Sequence, residues 1–152
     1  MSLQSVRDFF AARQVDIPII ELDVSTATVA LAAEAHGAEP GRITKTLSFR
    51  LSGGQVIIPV AAGDARVDNR KFKEALGKGK MLPLEDVAEL TGHPIGGVCP
   101  FGLAHPLPIY VDKTLLTFDE VLPAAGAIQS AVRISPTQLA AVTEAQWVDV
   151  CQ

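Results

Sequence analysis

Cysteine is scarce: the chain of 152 residues holds only Cys99 and Cys151. Two cysteines cannot build a disulfide framework, so a reduced, cytoplasmic setting is expected. Aromatic residues make up 5% of the chain, with one Trp and one Tyr, and few of them lie among the cations. Stacking on single-stranded bases is therefore not indicated. No apolar stretch approaches the roughly 20 residues that a membrane helix needs. The opening residues, Met1 to Asp8, lack a basic segment followed by an apolar one, so no signal peptide is expected. Positive charge is in the minority, 13 Lys and Arg against 17 Asp and Glu. That balance excludes a strongly basic nucleic-acid coat but leaves room for a local basic patch.

Familiar catalytic signatures are missing too. There is no G-x-x-x-x-G-K-[ST] phosphate loop, no G-x-G-x-x-G turn and no G-x-S-x-G elbow. His36, His93, His105, Cys99 and Cys151 show no paired metal-ligand spacing, so no metal and no cofactor are expected.

What is present describes an ordered chain. Hydrophobic residues are 48%, charged residues 20%, and low-complexity runs are absent. The length fits one domain over residues 1–152, burying roughly 70% of its unfolded surface. Leu3, Val6, Phe9 and Phe10 recur at helical spacing behind Ser2, a candidate cap, and predict a helix over 3–13. Residues 17–22 read as a short strand with Pro18 at its start or on an edge. Residues 27–36 read as a helix behind Ser25 and Thr26, closed by Gly37. Two apolar runs, 43–51 and 55–61, flank Ser52-Gly53-Gly54 and predict a hairpin. Asp68 caps a predicted helix over 69–76, closed by Gly77; Pro83 and Leu84 open another, closed by Gly92. Further strands are expected at 107–112, 130–134 and 146–150, with a helix after Ser135-Pro136. Interspersed helices and hairpin-linked strands favour a mixed sheet with packed helices over a doubly wound fold.

Three features carry candidate chemistry. Strand alternation in Ile43-Thr44-Lys45-Thr46-Leu47-Ser48-Phe49 puts Lys45 on the face of Ile43, Leu47 and Phe49, and the three hydroxyl residues on the other. Lys45 reads either as a strand-end lysine snorkelling to water or as a cation at a pocket mouth, holding a phosphate as a point charge. The loop from Gly92 to Gly102 is dense in Gly and Pro. Its Gly96-Gly97 pair allows close approach to main-chain N–H groups, which suit an oxyanion. Cys99 invites a nucleophile reading, but no orienting group accompanies it. Arg66, Arg70, Lys71, Lys73, Lys78 and Lys80 cluster within fifteen residues, as a solvated face or as a receiver of a polyanion.

Taken in order, Ile43 to Phe49, Gly96-Gly97-Val98-Cys99-Pro100-Phe101-Gly102, Tyr110-Val111-Asp112, Ala124-Ala125-Gly126 and Arg133-Ile134-Ser135-Pro136 resemble the YbaK/ProX family over roughly residues 20–145. These are aminoacyl-tRNA deacylases related to the editing insertion of bacterial prolyl-tRNA synthetases. The resemblance implies an α/β fold of the α+β type: a mixed, largely antiparallel, barrel-like sheet with flanking helices. It implies a freestanding enzyme that hydrolyses the ester of a mischarged tRNA. Lys45 matches the family lysine that grips the terminal nucleotide, and Thr46 the pocket residue beside it. Gly96 and Gly97 match the loop whose main chain faces the scissile carbonyl, with water activated through the substrate's own ribose hydroxyl. The same matching assigns Val98, Cys99, Pro100, Ala124 and Gly126 to the substrate pocket, with Cys99 as lining and not as nucleophile.

The chain departs from the family at two polar pocket positions. Ala124 stands where some members have serine, and Ala131 where they have aspartate. An apolar pocket favours a small aliphatic amino acid such as alanine or 2-aminobutyrate over cysteine, on tRNA-Pro or a related tRNA. The expected partners are the mischarged acceptor end and an aminoacyl-tRNA synthetase, with the protein a monomer or homodimer. The rival reading is a non-catalytic module that binds a tRNA end, a nucleotide or a synthetase.

Overall fold

A computed structural model describes residues 2–152. The expected Ser2 cap concerns a side chain outside the described set, as does Met1. Helix α1 (Ser2–Ala12) buries Val6 and Phe10, and the Phe10 ring lies 4.9 Å from that of Phe101. Strand β1 (Ile19–Glu21) follows, shorter than the expected 17–22. Helix α2 (Val29–His36) is capped by Thr28, whose hydroxyl accepts from the Leu31 N–H at 3.1 Å. Ser25 and Thr26 do not cap it: Ser25 accepts from the Ala27 N–H, and the Thr26 hydroxyl donates to the Ile128 carbonyl.

The central hairpin forms as β2 (Thr44–Thr46), β3 (Phe49–Leu51) and β4 (Val56–Ala62). Thr46 faces Val60 and Phe49 faces Ile57, one unbroken register, so residues 44–51 run as a single extended segment. The gap at Leu47–Ser48 falls opposite Pro59, which has no N–H to donate. Leu47 still donates to the Pro59 carbonyl at 2.8 Å. Side-chain alternation therefore continues through the gap. Every residue of β4 is buried, as a strand covered on both faces requires.

Helix α3 (Asn69–Leu76) is capped as expected, the Asp68 carboxylate accepting from the Lys71 N–H at 3.0 Å. A cap of this kind stabilises by about 1 kcal/mol. Strand β5 (Gly79–Met81) was not expected. It is exposed along its whole length, so it carries no apolar signature, and pairing with β3 alone defines it. Helix α4 (Leu84–Thr91), β6 (Ile109–Asp112), β7 (Ser130–Val132), helix α5 (Pro136–Thr143) and β8 (Gln146–Val148) complete the chain, with 3-10 turns at Pro40–Arg42 and Lys113–Thr117.

The main sheet has the order β5-β3-β4-β6-β8, with β2 also on β4; β1 and β7 form a second, two-stranded sheet. The β4–β6 and β6–β8 pairings are parallel and the others antiparallel. The architecture is the expected mixed α+β one, largely antiparallel. The sheet remains open, ending at β5 and β8. Asp112 anchors its far end. Fully buried, it accepts from the Thr114 N–H at 2.9 Å with one oxygen and from the Val150 N–H at 2.8 Å with the other.

Candidate active site

A cavity of about 240 Å³ opens between the residue 44–48 run, α2, the loop around Gly96 and the segment from Leu122 to Ala131. Alternation along the 44–48 run sends Thr44, Thr46 and Ser48 to this cavity. Thr44 and Ser48 are 7% and 4% exposed, and neither hydroxyl has a hydrogen-bond partner among the described residues. Most of the remaining lining is apolar, and Ala27, Ala32, Ala124 and Ala131 are its smallest side chains. Ala124 and Ala131 face each other in an isolated antiparallel bridge.

Lys45 also borders the cavity, but its ammonium donates to the Ala65 carbonyl in the turn between β4 and α3. Its charge also acts on buried Cys151. No carboxylate pairs with it among the described residues. The expected free cation at the pocket mouth is thus a half-buried lysine resting on a neutral acceptor. His36, at the end of α2, lines the cavity too. Burial, and secondarily the nearby Arg133 charge, lower its pKa from the ordinary histidine value and so favour the neutral imidazole.

The glycine loop divides into cavity wall and scaffold. Ile95, Gly96 and Val98 line the cavity; Gly97 does not. The Gly97 N–H donates to the Pro94 carbonyl at 2.9 Å, closing a turn whose third residue, Gly96, has φ +90°. That conformation favours glycine. With the Gly97 N–H engaged, the N–H groups of Gly96 and Val98, like that of their neighbour Ile95, have no hydrogen-bond acceptor among the described residues. Gly97 instead lies flat on Ala127, where a Cβ would sit 2.9 Å from two main-chain atoms, and its carbonyl accepts from the Gly126 N–H at 3.1 Å. Gly126, expected in the pocket, is therefore a loop tether.

Cys99 and Pro100 do not reach the cavity either. Cys99 is completely buried, its sulfur 3.5 Å from His93 Nε2 and 3.6 Å from the Phe101 carbonyl. Burial pushes the thiol pKa up to about 12, against smaller lowering by contacts to Phe101 and Gly126. A thiol held so far from ionisation is no nucleophile at neutral pH. His93 Nε2 lies 2.6 Å from the Phe101 carbonyl and donates to it, bracing the loop from within. Pro100 lines a separate groove with Phe9 and Arg13. Among the described residues, no cluster of three metal-ligating side chains occurs.

The cavity is thus small and mostly apolar, with three hydroxyl side chains on one wall and a lysine at its border. Residues 23–142 match the aminoacyl-tRNA editing domain, and the chain belongs to that family of deacylases. It is 47% identical to YwhH of Bacillus subtilis (strain 168), a protein of uncharacterised role, over 100% of this chain and 98% of that one. It is 28% identical to EbsC of Enterococcus faecalis (strain ATCC 700802 / V583), a proposed Cys-tRNA(Pro)/Cys-tRNA(Cys) deacylase, over 78% of this chain and 73% of that one. A crystal structure of a proposed trans-editing enzyme for prolyl tRNA synthetase superposes with a TM-score of 0.89 at 37% identity, covering 99% of this chain and 97% of that one.

Proposed function

We propose that the protein acts in trans on tRNA-Pro or a related tRNA misacylated with a small amino acid, and that alanine and 2-aminobutyrate are better substrates than cysteine. The observation that carries this reading is the Ala124–Ala131 wall. Two methyl groups meet the substrate where polar side chains would select a polar one. The physical need is general: a missing methylene is worth only about 1–3 kcal/mol in an apolar pocket, so a synthetase cannot reject a smaller amino acid by binding alone. A second, smaller pocket supplies the remaining discrimination.

In the reaction, water adds to the ester carbonyl, the bond to the ribose oxygen breaks, and free amino acid and tRNA leave. The amides of Gly96 and Val98 suit the developing oxyanion, a role worth about 3–4 kcal/mol per donor. Lys45 grips the terminal nucleotide after leaving Ala65, a move its flexible four-carbon stem permits. A synthetase that holds the tRNA would raise the effective concentration of the acylated end at this pocket.

The test is a deacylation panel with the purified protein: alanyl-, 2-aminobutyryl-, cysteinyl-, seryl- and prolyl-tRNA-Pro. Alanyl and 2-aminobutyryl esters should be cleaved fastest and prolyl slowest. Lys45→Ala should lower turnover by about 100-fold or more with the fold intact by circular dichroism, on the scale of a lost transition-state contact. Equal turnover in that variant removes Lys45 from the mechanism, and binding without turnover across the panel supports the non-catalytic module.

A further inference from the structure

Thr44 and Ser48 are nine-tenths or more buried, lie on one face of one extended run and line the same cavity, and their buried hydroxyls have no protein partner among the described residues. A buried hydroxyl without a partner is destabilising to the chain that carries it. Two on one cavity wall, with half-buried Thr46 between them, form a row. At about 3.3 Å per residue, Thr44 and Ser48 are about 13 Å apart. One small acyl side chain cannot reach both. An amino acid joined to a nucleoside can.

The ends of the row differ. Thr44 sits beside Leu122, to whose carbonyl its N–H donates at 3.4 Å, and Ile43 next to it is buried against Ala32 and Ala33 of α2. Ser48 accepts from the Leu82 N–H through its carbonyl, next to Met81 and Leu84, which are 62% and 66% exposed and line the cavity. Buried apolar groups thus flank the Thr44 end, and exposed apolar side chains flank the Ser48 end.

We infer that the Thr44 and Ser48 hydroxyls are specificity-determining groups for the polar edge shared by all aminoacyl-nucleosides, whereas Ala124 and Ala131 select the side chain. This rests on the deacylase reading above. The row hydrogen-bonds the α-amino group at one end and the terminal nucleoside at the other, so it selects an amino acid attached to its carrier over a free one.

The experiment uses Thr44→Val and Ser48→Ala, each of which removes a hydroxyl with little change in shape. The binding probe is the stable amide of alanine with 3′-amino-3′-deoxyadenosine, titrated calorimetrically, with free alanine as control. Each variant should bind the probe about tenfold more weakly. Each should cleave every ester of the panel more slowly by a similar factor whatever the side chain. Each should melt at the same temperature as the parent or higher, because no protein hydrogen bond is lost. A structural hydroxyl would instead lower the melting temperature and leave binding unchanged. Unaltered affinity in both variants overturns the inference even where the parent cleaves the panel. Slowing confined to seryl and cysteinyl esters also overturns it, since the row would then read the side chain. A parent that binds the probe but cleaves nothing refutes the deacylase reading, and the variants' affinities still decide the role of the row.

Discussion

At the scale of single residues, neighbours in the glycine loop have opposite tasks. Val98 lines the cavity and Cys99 is buried in the core. Motif matching along the sequence carries Cys99 into the pocket together with Val98. Only the packing against His93 and Phe101 separates them. Cys99→Ala should therefore keep turnover within about threefold of the parent. It should also cost about 1–2 kcal/mol of stability, a typical loss for a trimmed core side chain. Urea unfolding alongside the deacylation assay measures both. Loss of turnover with a trappable acyl-thioester would restore the nucleophile reading. The hydroxyls of Thr44 and Ser48 were legible as a face of a strand. The cavity they meet was not, because its other walls come from residues 26–32, 82–87, 95–98 and 122–131.

At the scale of elements, legibility followed locality. Helix α3 carries its own start and stop, Asp68 and Gly77, and formed over the expected residues. The hairpin carries its own turn and kept one register past Pro59. Strand β5 exists because β3 offers it a partner, a fact held by no residue within it. The glycine loop is fixed from outside as well, by the Ala127 main chain under Gly97. Gly97→Ala should destabilise the protein by about 2–3 kcal/mol or displace the loop, since main-chain atoms cannot yield as a side chain can. Gly53→Ala in the hairpin turn is the control: a Cβ there meets nothing within 4 Å, so the change should stay within about 0.5 kcal/mol. Thermal melts distinguish the two. A Gly97→Ala melt matching that of Gly53→Ala would show that the loop is not clamped at Ala127.

At the scale of the molecule, charge is unevenly spread. The net charge is -4, yet Arg50, Lys73, Lys78 and Lys80 border a groove between α3 and the β3–β5 edge. Lys80 adjoins Met81, which lines the cavity. Lys73, Lys78 and Lys80 have no ion-pair partner among the described residues. Rising salt should therefore weaken productive binding of the mischarged tRNA. Lys78→Glu with Lys80→Glu should lower kcat/KM several-fold at low salt and flatten the logarithmic salt slope by up to about 2, the share of two phosphate contacts. Hydrolysis of a mischarged minimal ester, aminoacyl-adenosine, should not change. Parallel slopes in parent and variant would place the RNA on another face.

The Lys45 contact with Ala65 sets how easily that side chain is recruited. Its direct hydrogen-bond partner is a dipole and not an anion, so departure breaks no ion pair. An arriving phosphodiester competes against one neutral oxygen, and a full negative charge is the stronger attractor at close range. If Lys45 serves the role proposed above, the unliganded molecule keeps its cation at a resting place from which a nucleotide phosphate would draw it.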